Sequence, residues 1–240
     1  STFENKMLPE SFLASLKDRY EGTTIGRQEL YAELILEEPG ALWTQQLIDQ
    51  TRVEPIYADE NSLGNFTEIV VAVDPSMSAE GERDSETGII VAGRHKNGRC
   101  YILEDASLLR PTPDAWANRV IETYHRWGAN KVVAEVNQGF DLVTNLLSTL
   151  DERVPLKKVY ATRGGKYLRA EPIAALYEQG KVHHAGMFLE LEYQMRSWVV
   201  GKPSPDRLDA MVWAVTQLML GGGIADIYSP MSLPKLPRII

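Results

Sequence analysis

Ile69-Val70-Val71-Ala72-Val73-Asp74-Pro75 is an apolar, mostly β-branched run that ends on a carboxylate and a proline. Lys131-Val132-Val133-Ala134-Glu135 repeats the design: a short apolar run closed by an acid. β-Branched residues suit a pleated, buried surface, so both runs read as strands. A carboxylate at the tip of a buried strand is costly unless something pairs with it. A third acid-bearing stretch, Ser204-Pro205-Asp206-Arg207-Leu208-Asp209-Ala210, opens a helical pattern with apolar Leu208, Met211, Val212, Val215, Leu218 and Met219. Acids delivered from three distant parts of one chain point to a shared partner. A hard divalent cation such as Mg²⁺ suits several carboxylates at once.

Around these runs the punctuation sets the rest of the fold. Gly88–Gly93 and Cys100–Asp105 are two more strand-like segments, and Asn97-Gly98 between them is a hairpin signal. With Ile69–Asp74 they predict three antiparallel strands. Thr112 followed by Pro113 marks a helix start, Trp116, Val120, Tyr124 and Trp127 give that helix one face, and Gly128 stops it. Lys131–Glu135 is a fourth, buried strand; a helix over about 140–150 and a fifth strand, Leu156–Tyr160, follow. Helices are expected over Tyr167–Glu178 (despite Pro172), Phe188–Trp198 and Asp206–Leu220. This order predicts an α/β fold: a mixed five-stranded sheet flanked by helices on both faces, its first strand central. Sites form outside strand carboxyl ends where strand order switches, and that is where Asp74 and Glu135 fall.

Residues 1–60 read as a helical appendage, with short helices over Ser11–Tyr20 and Arg27–Leu36 and a helical turn over Thr44–Gln50; residues 61–220 form the main domain, and the proline-bearing 221–240 a mobile tail. The chain has 240 residues, 44% of them hydrophobic, an ordinary globular balance. One cysteine, Cys100, excludes an internal disulfide and a cysteine-based zinc cluster. No apolar run approaches the roughly 20 residues that span a bilayer, so no membrane partner is expected. The net charge of −8 argues against nucleic acid at first sight. Of 33 acidic and 25 basic residues, 12 and 5 fall in residues 1–60, a local balance of −7 that leaves −1 for the remainder. Lys157–Ala170 carries Lys157, Lys158, Arg163, Lys166 and Arg169 and no acid. Local charge governs phosphate contact, so Arg163, Lys166 and Arg169 are the candidate DNA-binding residues, against the plainer reading of a solvated basic loop.

Asp74, Glu135 and Asp209 are the candidate catalytic and metal-ligating residues, with Asp206 a fourth ligand, three residues before Asp209 in one helical turn. A helix N-terminus favours anions there. Such a charge suits two divalent ions, which clamp the attacking and leaving oxygens of a phosphodiester. Read singly, Asp74 before Pro75 is a turn residue and Asp206 a helix cap; the joint pattern outweighs those readings. Asp84 is a weaker candidate. His183-His184 have no acid or cysteine at ligand spacing and read as strand or loop residues; His125 reads as structural. Gly164-Gly165-Lys166 lacks the earlier glycine and the following Ser or Thr of a phosphate loop, since Tyr160 and Tyr167 stand there, so no ATPase site is expected.

Val71–Pro75, Ala134-Glu135-Val136-Asn137-Gln138-Gly139, Arg169-Ala170-Glu171-Pro172, Leu176-Tyr177-Glu178-Gln179-Gly180 and Ser204–Ala214 together resemble the nuclease domain of the large terminase subunit of tailed double-stranded DNA bacteriophages. The resemblance covers about residues 8–220. It implies a ribonuclease H-like fold and Mg²⁺- or Mn²⁺-dependent cleavage of viral DNA concatemers during packaging, in the cytoplasm of an infected bacterial host. It implies Asp74, Glu135 and Asp209 as the acidic triad. Asp206 resembles an additional acid of the related Holliday-junction resolvases. Residues 8–55 resemble the segment that joins the family's ATPase motor to the nuclease; that motor, the small terminase subunit and the portal are the implied partners besides double-stranded DNA. Two other readings fit the same acids: a junction resolvase or transposase, and a noncatalytic module that docks DNA or capsid with one structural ion.

Overall fold

The computed structural model describes residues 38, 40–75, 86–136, 142–160 and 165–221. The helices expected over Ser11–Tyr20 and Arg27–Leu36, the tail beyond Gly221, Asp84 and Arg163 lie outside the described residues. In chain order the elements are α1 (Gln45–Gln50), β1 (Arg52–Val53), α2 (Glu60–Leu63), β2 (Phe66–Pro75), β3 (Glu86–His95), β4 (Cys100–Asp105), β5 (Leu108–Leu109), α3 (Pro113–Arg126), β6 (Lys131–Glu135), α4 (Leu142–Leu150), β7 (Leu156–Val159), α5 (Gly165–Glu178), β8 (Val182–Ala185), α6 (Leu189–Ser197) and α7 (Asp206–Met219).

The sheet runs β1-β8-β4-β3-β2-β6-β7, with β5 added beside β3. β2 pairs antiparallel with β3 and parallel with β6, so it is central among the five expected strands. β3 and β4 form the Asn97-Gly98 hairpin, whose turn needs the positive φ of 83° that glycine adopts freely. Three strands exceed the expectation. β8 holds His183 and His184 and lies parallel to β4, β1 lies parallel to β8, and β5 is a two-residue edge piece. Val182–Ala185 is short and polar at its centre, so its sequence leaves strand and loop open; pairing with β4 makes it a strand.

Side chains alternate along each strand. Val70, Ala72, Ile90, Ala92, Ile102 and Val133 face a core built with α1, α5, α6 and α7. Ile69, Val71, Val73, Ile89, Val91, Val132 and Ala134 face the other core, covered by α3 and α4. Each fully buried Val or Ile contributes about 1.5–3 kcal/mol. α7 is buried along all of Arg207–Thr216, because the sheet lies beneath it and α5 and α6 flank it. A helix covered on several sides carries apolar residues on several sides, which its sequence shows.

Helix α3 starts as expected, with Thr112 accepting a hydrogen bond from the Ala115 N–H and Pro113 in the first turn. That cap is worth about 1 kcal/mol. α5 begins at Gly165, earlier than expected, so Pro172 falls in its third turn rather than near its start. An interior proline costs about 3 kcal/mol. Burial of Ala170, Ile173, Ala174 and Tyr177 on the same helix offsets it.

The core reaches back past the residue-60 boundary. Trp43 and Ile48 are fully buried in it, and Arg52 reaches across to α6. There Arg52 Nη1 and Nη2 lie 2.6 and 2.9 Å from the two oxygens of Glu192, a two-pronged ion pair. Buried His184 sits 3.0 Å from Glu192 Oε1 through Nδ1 and 2.8 Å from the Tyr177 hydroxyl through Nε2. Burial favours the neutral imidazole, so Nδ1–H donates to the carboxylate and Tyr177 donates to Nε2. His183 stacks on Tyr101 and His125 pairs with Asp151 at the surface. These three histidines, His125, His183 and His184, have structural partners.

Candidate metal centre

Register brings the first two acids together. Val73 pairs with Ala134 across β2 and β6, so the next residues, Asp74 and Glu135, end adjacent parallel strands at one level. Parity then aims them. Asp74 follows Val70 and Ala72, and Glu135 follows Val133, on the face that α7 covers. Asp209 comes from the first turn of α7. One carboxylate oxygen from each of Asp74, Glu135 and Asp209 lies within 4.8 Å of the others, and all three residues are buried. Among the described residues they are the group whose ligand atoms converge in this way.

Asp206 does not join that group. It is the first residue of α7 rather than its cap, which is Pro205. Burial, then the Glu86 carboxylate, push its carboxyl up to about 7, against the pull of Lys166. Burial also raises Asp74 well above the usual carboxylate range; Glu135, Asp209 and Asp206 add to the shift, and Lys166 opposes it. An acid held this way is short of positive charge.

The approach of α7 depends on Gly88. It pairs with Asp74 across β2 and β3, and a Cβ there would sit 2.0 Å from the Asp206 carbonyl oxygen. Without a side chain at 88, the helix start comes down onto the strand ends. Arg207 then fastens it: Nε lies 2.6 Å from Glu86 Oε1 and Nη1 2.7 Å from Asp105 Oδ2. Gln194 of α6 ties the same corner, donating to Glu86 Oε2 at 2.5 Å and accepting from the Leu208 N–H at 3.2 Å. None of Gly88, Glu86, Gln194 or Arg207 stood out in the sequence as a site residue. Arg207 between two candidate ligands was the available signal.

Of the expected DNA-binding residues, Lys166 is half-exposed, with Nζ on the Asp209 carboxylate and 3.4 Å from the Ser204 carbonyl. Burial lowers the lysine's proton affinity, but the Asp209 charge outweighs it, so the ammonium stays charged. Arg169 requires a correction. Its side chain is 2% exposed, its Nη1 lies 3.3 Å from Glu135 Oε2, and its guanidinium carbon is 4.4 Å from the Trp213 ring centroid. Arg169 lies one turn further along α5 than Lys166 and packs against Glu135 and Trp213, so it is not placed to grip a phosphate from solvent.

Known proteins resemble this chain in family and in fold. Residues 71–218 match the family described as Terminase RNaseH-like domain. No curated protein sequence matches the chain. Among solved structures, the large terminase nuclease from thermophilic phage G20c with bound magnesium is similar at 13% identity and a TM-score of 0.54, covering 75% of this chain and 98% of that one. The nuclease domain of the large terminase subunit gp2 of bacterial virus Sf6 is similar at 12% identity and a TM-score of 0.52, with coverage of 75% and 98%. The HK97 bacteriophage large terminase is similar at 12% identity and a TM-score of 0.54; the match covers 89% of this chain and 51% of that one, so this chain spans about half of it. At such identities the likeness shows the fold, a ribonuclease H-like mixed sheet flanked by helices.

Proposed function

Because the chain belongs to the Terminase RNaseH-like domain family, we propose that it is a metal-dependent endonuclease that hydrolyses phosphodiester bonds of double-stranded DNA. The observation that carries this reading is the convergence of the Asp74, Glu135 and Asp209 carboxylates within 4.8 Å. Three buried acids from three separate elements, one of them pushed well above its ordinary range, have the donor chemistry of a hard-cation site. These three residues would hold Mg²⁺ or Mn²⁺, two ions being the number that suits the reaction. Divalent cations held there would supply activation of a water and stabilisation of the departing oxygen. Asp206 would act from just outside, as a nearby charge.

The protein supplies position and charge. The strands and α7 hold the carboxylates rigidly, so little reorganisation is needed at reaction. Lys166, at the open edge beside Asp209, is the group that would meet an incoming phosphate. Phosphate contacts of this kind give affinity without reading sequence, which suits cutting of viral concatemers at many sites during packaging. The ATPase motor, the small terminase subunit and the portal would be partners of the longer protein.

The test is incubation of supercoiled plasmid with the chain in Mg²⁺, Mn²⁺ or chelator. We expect nicking and linearisation with either metal and none with chelator. Asp74→Ala and Glu135→Ala should stay folded and lose cleavage. Retained cleavage in a clean Asp74→Ala preparation counts decisively against the assignment.

A further inference from the structure

The geometry points to Arg169 and Trp213 as positioning residues that pin one oxygen of Glu135 and leave the other for a divalent cation. The inference rests on the metal reading of the site and concerns residues outside the converging triad. Trp213 Nε1 donates to Glu135 Oε2 at 2.5 Å. Arg169 Nη1 donates to the same oxygen at 3.3 Å, and its guanidinium lies 4.4 Å from the Trp213 ring centroid. The three side chains are buried at 2%, 6% and 5% exposure for Arg169, Glu135 and Trp213.

Both donors converge on a single carboxylate oxygen. Two hydrogen bonds end on Oε2, whereas Oε1 receives none among the described residues. Glu135 has two side-chain torsions that could swing its carboxylate away from the strand tip. An indole N–H fixed by a packed ring removes that freedom. Arg169 also leaves its own Nε buried and without a hydrogen-bond partner among the described residues. A guanidinium satisfied for its own sake would use that donor. This one is held over the indole face, where the cation–π contact keeps it against Glu135. The clamp spans three elements: β6 carries Glu135, α5 carries Arg169 and α7 carries Trp213. Partners behind a ligand typically change metal affinity 10–100-fold when removed, by about one to two decades.

Trp213→Phe keeps the ring and removes the N–H; Arg169→Lys keeps charge and removes the planar fork. Both variants, wild type and Asp74→Asn would be titrated with Mn²⁺ alone, free ion being followed by electron paramagnetic resonance, and melted with and without metal. We expect the Mn²⁺ midpoint of Trp213→Phe to weaken roughly tenfold or more, and that of Arg169→Lys to move the same way, with folded spectra in both. Cleavage should recover in part at high Mn²⁺. If the clamp only supports packing, the metal-free melting point falls while the Mn²⁺ midpoint stays within about twofold of wild type; that result overturns the inference and leaves the metal reading standing. Should either variant not fold, the other decides by the same midpoint. Wild-type chain that binds no Mn²⁺ would overturn the metal reading and this inference with it.

Discussion

Gly88→Ala tests the geometry most directly. The added Cβ would lie 2.0 Å from the Asp206 carbonyl oxygen, 2.4 Å from its carbon and 2.8 Å from the Arg207 nitrogen. These are backbone atoms, so no side chain can swing aside. Ordinary contact begins near 3.4 Å, so the first turn of α7 must retreat by about 1.4 Å or the β3 backbone must bend. Overpacking of this kind costs about 1–3 kcal/mol. For a protein of this size that lowers Tm by roughly 2–12 °C, which leaves it folded at 25 °C. Asp209 rides on the displaced turn, three residues from the clash. A shift of about 1 Å in a reacting constellation costs on the order of a hundredfold in rate. We therefore expect plasmid cleavage at saturating Mn²⁺ to fall about a hundredfold, with a modest drop in Tm. Gly98→Ala is the control: it strains a left-handed turn but meets nothing within 4 Å. It should cost about 1 kcal/mol and leave cleavage intact. Wild-type cleavage by Gly88→Ala, with an unchanged Tm, would refute the close approach of α7 to the strand ends.

Lys166→Ala should weaken DNA binding and reduce the slope of log affinity against log salt by about 0.9, one phosphate contact; an identical slope removes Lys166 from the DNA path. Glu192 is lowered to about 2, because hydrogen bonds from His184 and Arg52 outweigh the burial that alone would raise it. Its contribution is therefore full above its ordinary 4.5 and is lost as pH falls toward 2, while His184, lowered by burial, adds a loss that begins as pH drops through 6.5. Glu192→Gln should lower Tm at pH 7 by roughly 6–12 °C, for about 3 kcal/mol, and its curve should converge on that of wild type below pH 4.5; parallel curves would contradict the ion-pair account. Asp206 is pushed up to about 7, mainly by burial, so its ionisation costs the folded state stability as pH rises from 3.8 through 7. Asp206→Asn should melt higher than wild type at pH 8 in chelator, match it near pH 4, and keep cleaving with Mn²⁺. Loss of cleavage equal to that of Asp209→Asn would show that Asp206 is a ligand after all.

Legibility followed locality. The unbroken apolar runs of Val70–Asp74 and Lys131–Glu135 exposed two buried strands with acidic tips, Asn97-Gly98 exposed a hairpin, and Thr112-Pro113 exposed a helix start. Each depends on a few neighbouring residues. Arg169 misled because a basic run looks like a basic surface, whereas packing against Glu135 and Trp213 buries one member of it. His183-His184 read as strand or loop alike, because the pairing of Val182–Ala185 with β4 that decides between them is a long-range event. Gly88 looked like any strand-end glycine until α7 was laid against it.

By itself the sequence determined the five main strands with the helices between and after them, that the first strand is central, and which acids stand at element ends, because these follow from short-range periodicity and the cost of burying charge. The tertiary structure decided the rest. Register between β2 and β6 set Asp74 level with Glu135, the missing side chain at Gly88 let Asp209 reach them, and the packing of α5 and α7 turned Arg169 and Trp213 onto Glu135. Those are contacts between residues far apart in the chain, and only closure of the whole fold brings them to hydrogen-bonding distance.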